Sequence, residues 1–265
     1  MTGGPQGQVP GQKNCPGAAT ASAASSGAYA NNATASGPGA PDKTGQQARD
    51  AELTRLLNTA RLATYLRACH SNQDEALRLY AWNIEVASAF WGSFNVLEVA
   101  LRNVIHSELS TFAGREDWWN AQIGLHQFEQ QRVTDAIAAA RRAKGSAVVP
   151  GHVVAELSFG FWTGLLANRY HQRLWVPALH AAFPHLVGTR RELHRKQESL
   201  RKLRNRIAHH EPIFARNLTA DHDRLLDILA AISPVAVDWV KQNSRVPQTI
   251  SRRNDVVTGT ESITF

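Results

Sequence analysis

Residues 189–214 read TRRELHRKQESLRKLRNRIAHHEPIF. From Thr189 to Ile207 the residues are good helix formers with no Gly or Pro, which predicts a helix. Leu193, Leu200, Leu203 and Ile207 recur at helical spacing and mark one apolar stripe. Glu211 precedes Pro212 and is biased out of the α region, so the helix should stop near His209 or His210. Both histidines then sit at a helix C-terminus, where the macrodipole favours a cation. An imidazole with an ordinary pKa of about 6.5 can give or take a proton near neutral pH. Positions five apart on a helix differ by roughly 140° in azimuth, so one regular helix does not aim Arg204 and His209 at one point.

The charge of this stretch is as telling as its period. Eight Lys/Arg against Glu192 and Glu198 account for most of the chain's formal +7. Such a stripe is an electrostatic footprint for a polyanion, nucleic acid above all, with Arg195, Lys196, Arg201, Lys202 and Arg206 as the candidate contacts. The plainer alternative is a solvated face laced by ion pairs, but two acids are few for eight bases.

The spacing R-N-x-x-x-H over Arg204, Asn205 and His209 resembles the signature of HEPN-domain ribonucleases. Together with LEVALRN at residues 97–103 and LSFGFW at residues 157–162, the string RNRIAHHEP resembles the Abi-like (abortive infection) branch of that superfamily. The resemblance implies a HEPN-like helical bundle and metal-independent RNA cleavage by attack of a 2′-hydroxyl on the adjacent phosphate. It further implies a cleft shared by two protomers. His209 would then be the general acid or base and Arg204 the bidentate phosphate clamp, with Asn205 orienting the phosphate or the histidine. His210 is the neighbour that the family's looser spacing also allows. Glu98, Arg102 and Asn103 would face the motif helix and support its Arg and His; the plainer reading of Glu98 and Arg102 is an i,i+4 ion pair. The partners implied are RNA, a second copy of the chain in a homodimer, and an antitoxin protein or RNA. No cofactor and no metal are expected. The alternative reading is a catalytically inactive HEPN bundle that binds RNA or protein.

Elsewhere the chain reads as all-α. Of its 265 residues 43% are hydrophobic, ample for a core. Residues 1–47 are Gly, Ala, Ser, Asn, Pro and Gln with one aromatic, Tyr29, and read as a disordered low-complexity tail. That segment has no basic start followed by an apolar block, so it is not read as a secretory signal. Residues 48–242 are expected to form the helical domain and residues 243–265 a fraying polar tail. Within the domain, helices are predicted over 51–69, over 74–110 behind an N-cap at Ser71, over 127–144 with Gly145 at its end, and over 152–170. Gly92 would permit close packing or a bend in the long helix. Trp118 and Trp119 are expected to pin a loop to the bundle, and Phe159, Phe161, Trp162, Leu165 and Leu166 to pack in the core rather than stack bases. A last helix, capped by Thr219 or Asp221, should be kinked or divided at Pro234. Two cysteines, Cys15 and Cys69, argue for a reducing, cytoplasmic setting, and no 18-residue apolar run suggests a membrane span. No carboxylate constellation recommends a magnesium site.

Overall fold

The 41-residue helix at the centre of the structure, a computed structural model, is built from a sequence that is apolar on a wide face and capped at both ends. The structure describes residues 43–265; residues 1–42 of the expected tail lie outside them. Helix α1 (Lys43–Leu57) already occupies the end of that expected tail, and α2 (Thr59–Ala68) follows at once. The single helix predicted over 51–69 is thus two, because Asn58 adopts φ 68° and its side chain accepts the N–H of Ala60. Helix α3 (Gln73–Ala113) starts at Asn72, not Ser71: the Asn72 side chain accepts from Glu75 N at 3.2 Å. It stops at Gly114, which takes φ 66° while Arg115 N reaches Ser110 O and Gly114 N reaches Thr111 O.

Trp82, Val86, Phe90, Phe94, Leu97, Leu101 and Ile105 of α3 are fully buried. By length and composition α3 could cross a membrane, which the sequence reading had not anticipated. Here its apolar face is spent on the core. Gly92 brings no neighbour closer; a Cβ there would meet nothing within 4 Å.

Helix α4 (Gln127–Lys144) matches its expected bounds and ends on Gly145 at φ 60°. The helix predicted over 152–170 is instead broken into α5 (Pro150–Glu156) and α6 (Phe159–Gly164), then a 3-10 turn (Asn168–Tyr170) and a π-helical turn (His171–Trp175). The break falls where Ser158 caps α6 by accepting from Phe161 N. The five hydrophobic residues of that aromatic patch are buried, as is Trp118, while Trp119 packs at the edge of the core.

Helix α7 (Arg190–Ala208) is the basic helix. Thr189 and Glu192 form a reciprocal capping box at its start. Leu193, Leu200, Leu203 and Ile207 are all buried within the chain's own core. Helix α8 (Leu218–Ile232) is capped by Asn217 rather than Thr219 or Asp221. Asp221 is instead buried, gripped by Arg216 at 2.8 Å and Arg224 at 2.7 Å. Pro234 divides this region, opening α9 (Pro234–Asn243).

The expected C-terminal tail is a correction. Residues 246–258 form α10 (Val246–Ser251) and α11 (Arg253–Thr258), both packed on α3. Val246 and Val256 are fully buried, Trp82 Nε1 donates to Thr249 O at 2.8 Å, and Arg252 pairs with the buried Glu85 at 2.9 Å. The described residues contain no strand, and the fold is all-α.

Candidate functional site

The two motif segments meet through an ion pair between α7 and α3. Arg204 Nε donates to Glu98 Oε1 at 2.8 Å, and Nη2 lies 3.5 Å from Oε2. Glu98 therefore bonds along one side edge of the guanidinium and leaves the Nη1–Nη2 edge open to another acceptor. The guanidinium also stands over the Trp91 ring, 5.3 Å from its centroid. Glu98 pairs with Arg204 across the bundle and not with Arg102 along its own helix. Arg102 is left with a buried Nε that has no hydrogen-bond partner. Asn103 is exposed, away from this arrangement.

The end of α7 is built with unusual care. Glu211 N donates to Arg206 O at 2.8 Å and His210 N to Ile207 O at 3.0 Å, the double closure of a Schellman motif. The left-handed position of that motif usually holds Gly, as Gly114 does at the end of α3. Here it holds His210, at φ 55°. Arg61 Nη1 donates to the His210 carbonyl at 2.7 Å, and Arg206 donates twice to Pro212 O, at 3.1 and 2.7 Å. The chain leaving α7 is thus held from both sides in a backbone conformation that an L residue adopts only at a cost.

That turn puts His210 on the wall of a cleft of about 420 Å³. Arg61, Tyr80, Asn83, Trp91 and Glu211 also line it. His209 caps α7, is exposed, and is not part of the lining. Asn205 is half-buried, and its carbonyl accepts His209 N at 2.9 Å. A smaller apolar hollow of about 210 Å³ between α3 and α9, lined by Gly92, Ser93 and Trp239, holds no motif residue.

The basic stripe is partly neutralised. Lys196 pairs with Asp227 at 2.7 Å and Arg201 with Glu198 at 2.8 Å. The Arg201 guanidinium holds the Glu198 carboxyl below its ordinary value. Arg206 is turned toward Pro212. Arg195 and Lys202 are exposed and make no ion pair among the described residues. The footprint for a polyanion is therefore narrower than the count of charges implies.

Sequence reasoning named Arg204, Glu98 and His210 but missed Arg61, Tyr80, Asn83 and Trp91. One signal was present for Trp91: it lies seven residues, two helical turns, before Glu98, and so shares its face. Among the described residues no group of three or more His, Cys, Asp or Glu side chains comes together to hold a metal ion. Comparison with known protein families, curated proteins and solved structures finds no match to this chain.

Proposed function

We propose that the protein is a metal-independent endoribonuclease of the abortive-infection or toxin–antitoxin type. The observation that carries this reading is the coupling of Arg204 to Glu98 beside a cleft that His210 lines. In the proposed reaction a base takes the proton of an RNA 2′-hydroxyl, and that oxygen attacks the adjacent phosphorus. The 5′-oxygen leaves with a proton from an acid, giving a 2′,3′-cyclic phosphate and a 5′-hydroxyl end. Arg204 stabilises the phosphorane charge through its open edge, Glu98 fixes the guanidinium, and His209 and His210 are the proton-transfer candidates. A homodimer assembled on the RNA brings a second copy of the motif to the site, and an antitoxin protein or RNA would restrain the activity in the cell.

A second reading is favoured by one feature: His209 stands outside the cleft, as it would in a bundle that binds RNA or protein without cutting. The deciding experiment is RNA cleavage in EDTA by wild type, His209→Ala and His210→Ala. General acid–base catalysis is worth about 10²–10⁴-fold, so at least one histidine variant should lose that much. If both cut as wild type does, the nuclease reading fails and α7 is only a binding surface.

A further inference from the structure

The cleft beside the motif has the chemistry to hold a base as well as a phosphate. Asn83 sits mid-helix in α3, is only 5% exposed, and lines the cleft. Its Oδ1 accepts two backbone N–H groups, from Ile213 at 2.7 Å and Phe214 at 3.1 Å. Those two donors can only meet an oxygen, so the orientation of the amide is fixed by chemistry and Nδ2 is the arm left over. That NH2 makes no hydrogen bond among the described residues. Unlike the sealed polar atoms of the core, this NH2 keeps access to the open cleft and can donate to a group seated there.

The other walls supply what a base needs. Trp91 is 41% exposed, with Arg204 over its ring, and Tyr80 lines the cleft and packs edge-on against Tyr65. Aromatic faces next to cations are the usual platform for unpaired bases, which stack on them with little regard to sequence. Arg61 and His210 add positive or protonatable groups at the rim, where a phosphate flanking the base would lie. A volume of about 420 Å³ is in the ordinary range for small-ligand sites, about 300–1,000 Å³.

We propose that this cleft seats one unpaired nucleobase of the RNA, stacked on Trp91 and hydrogen-bonded by Asn83 Nδ2 through an acceptor on the base edge, next to the phosphate held at Arg204. The proposal rests on the RNA reading above. It implies a preference for single-stranded over paired RNA, because a paired base cannot enter the cleft. It also implies discrimination against base edges that offer only donors to Nδ2.

The test compares binding of a labelled single-stranded ribo-oligonucleotide with an abasic ribophosphate chain of the same length, at one salt concentration. Three variants of the full chain are compared with wild type. Ala87→Leu adds bulk to the cleft from its α3 wall, at a residue with no role in the proposed chemistry. Trp91→Ala removes the platform, and Trp91→Phe restores a ring. Wild type should prefer the RNA by about 5- to 150-fold, the range expected for stacking one base. Ala87→Leu should abolish that preference with little change in abasic-chain affinity; Trp91→Ala, which also removes the ring beneath Arg204, should weaken both chains and abolish the preference, and Trp91→Phe should recover part of it. A preference that survives Ala87→Leu and Trp91→Ala places the base elsewhere and overturns the proposal while leaving RNA binding intact. Failure of wild type to bind either chain overturns the RNA reading and the proposal with it.

Discussion

Replacing His210 with glycine should raise stability and lower cleavage, two opposite effects from one substitution. His210 occupies the left-handed position of the turn that ends α7, at φ 55°. For an L residue that conformation costs about 1–2 kcal/mol. Glycine removes the cost but gives the unfolded chain more freedom, which takes back about 0.4–1 kcal/mol. The hydrogen bonds that hold the turn use the backbone of residue 210, including its carbonyl to Arg61, and survive the change. His210 is exposed, so little packing is lost. The net expectation is a gain of about 0.5–1 kcal/mol, or about 1–4 °C in Tm for a domain of this size. Cleavage should fall by about 10²–10⁴-fold if the imidazole moves a proton. Gly114→Ala is the mirror control: φ is +66°, the added Cβ meets nothing within 4 Å, and so the cost is purely conformational. It should lower Tm and leave cleavage alone. Thermal denaturation followed by circular dichroism, with cleavage of a labelled RNA on the same samples, reads both effects. A His210→Gly protein that is less stable than wild type and cuts RNA at the full rate would refute this reasoning.

Truncation after Asn243 should be severe, because it strips two fully buried valines worth about 1.5–3 kcal/mol each and strands Trp82 Nε1 and Glu85 at about 1–3 kcal/mol each. Tm should drop by more than about 10 °C; an unchanged Tm would mean the segment contributes nothing. Arg204→Lys and Glu98→Gln should each leave Tm within a few degrees, since the pair is partly exposed, yet cut RNA slowly. Lysine cannot bond Glu98 and phosphate by separate edges, and a misplaced guanidinium can cost about 10²-fold; normal rates in both would remove Arg204 from the site. Burial holds His106, His194 and His222 below the ordinary imidazole value. Their folded pKa is depressed, so the unfolded chain binds more protons below about pH 6.5, and stability present above that pH is lost on acidification. Urea midpoints should be lower at pH 5.5 than at pH 7.5. His106 has a visible reason, as its Nδ1 accepts from Trp118 Nε1 at 3.0 Å and cannot do so when protonated. A midpoint that rises toward pH 5.5 would contradict the sign.

The sequence was most legible where period and punctuation agree. Helix α7 could be drawn from its leucine spacing and its Glu-Pro end, α4 from Gly145, and the α8–α9 division from Pro234. It was least legible where a side chain interrupts an unbroken helical pattern. Nothing in the run 51–69 signals that Asn58 will take φ 68° and cap α2, and Ser158 breaks its helix in the same local way. The C-terminal segment misled by composition: polar overall, it carries Val246, Thr249, Val256 and Val257 at spacings short helices can bury, but six-residue helices give too little periodicity to notice. At the site, Glu98 and Arg204 could be paired from the motif. The cleft could not, because Arg61, Asn83, Trp91 and His210 come together only through the packing of α2, α3 and the end of α7. Nor could the charge count anticipate Asp227, which lies on another helix and neutralises Lys196.

The burial of the whole α7 stripe changes what a twofold seam along that helix can be. With Leu193, Leu200, Leu203 and Ile207 inside the core, a partner α7 would meet Arg195 and Lys202, two exposed cations with no ion pair among the described residues. Twofold symmetry sets each copy's cations near the other's, and like charges facing across an interface cost several kcal/mol. Free protein should therefore not pair through α7. RNA backbone between the copies would reverse the sign of that interaction, so assembly and RNA binding should be linked, each strengthening the other. Sedimentation at low salt with and without an uncleavable RNA carrying a 2′-deoxy residue at the cut site reads this directly. The expected result is a monomer alone and two protein chains per complex with RNA, the complex weakening as salt rises. A stable dimer at low salt without RNA would exclude a seam of like charges along α7, and a fully active monomer in the presence of RNA would exclude a shared site altogether.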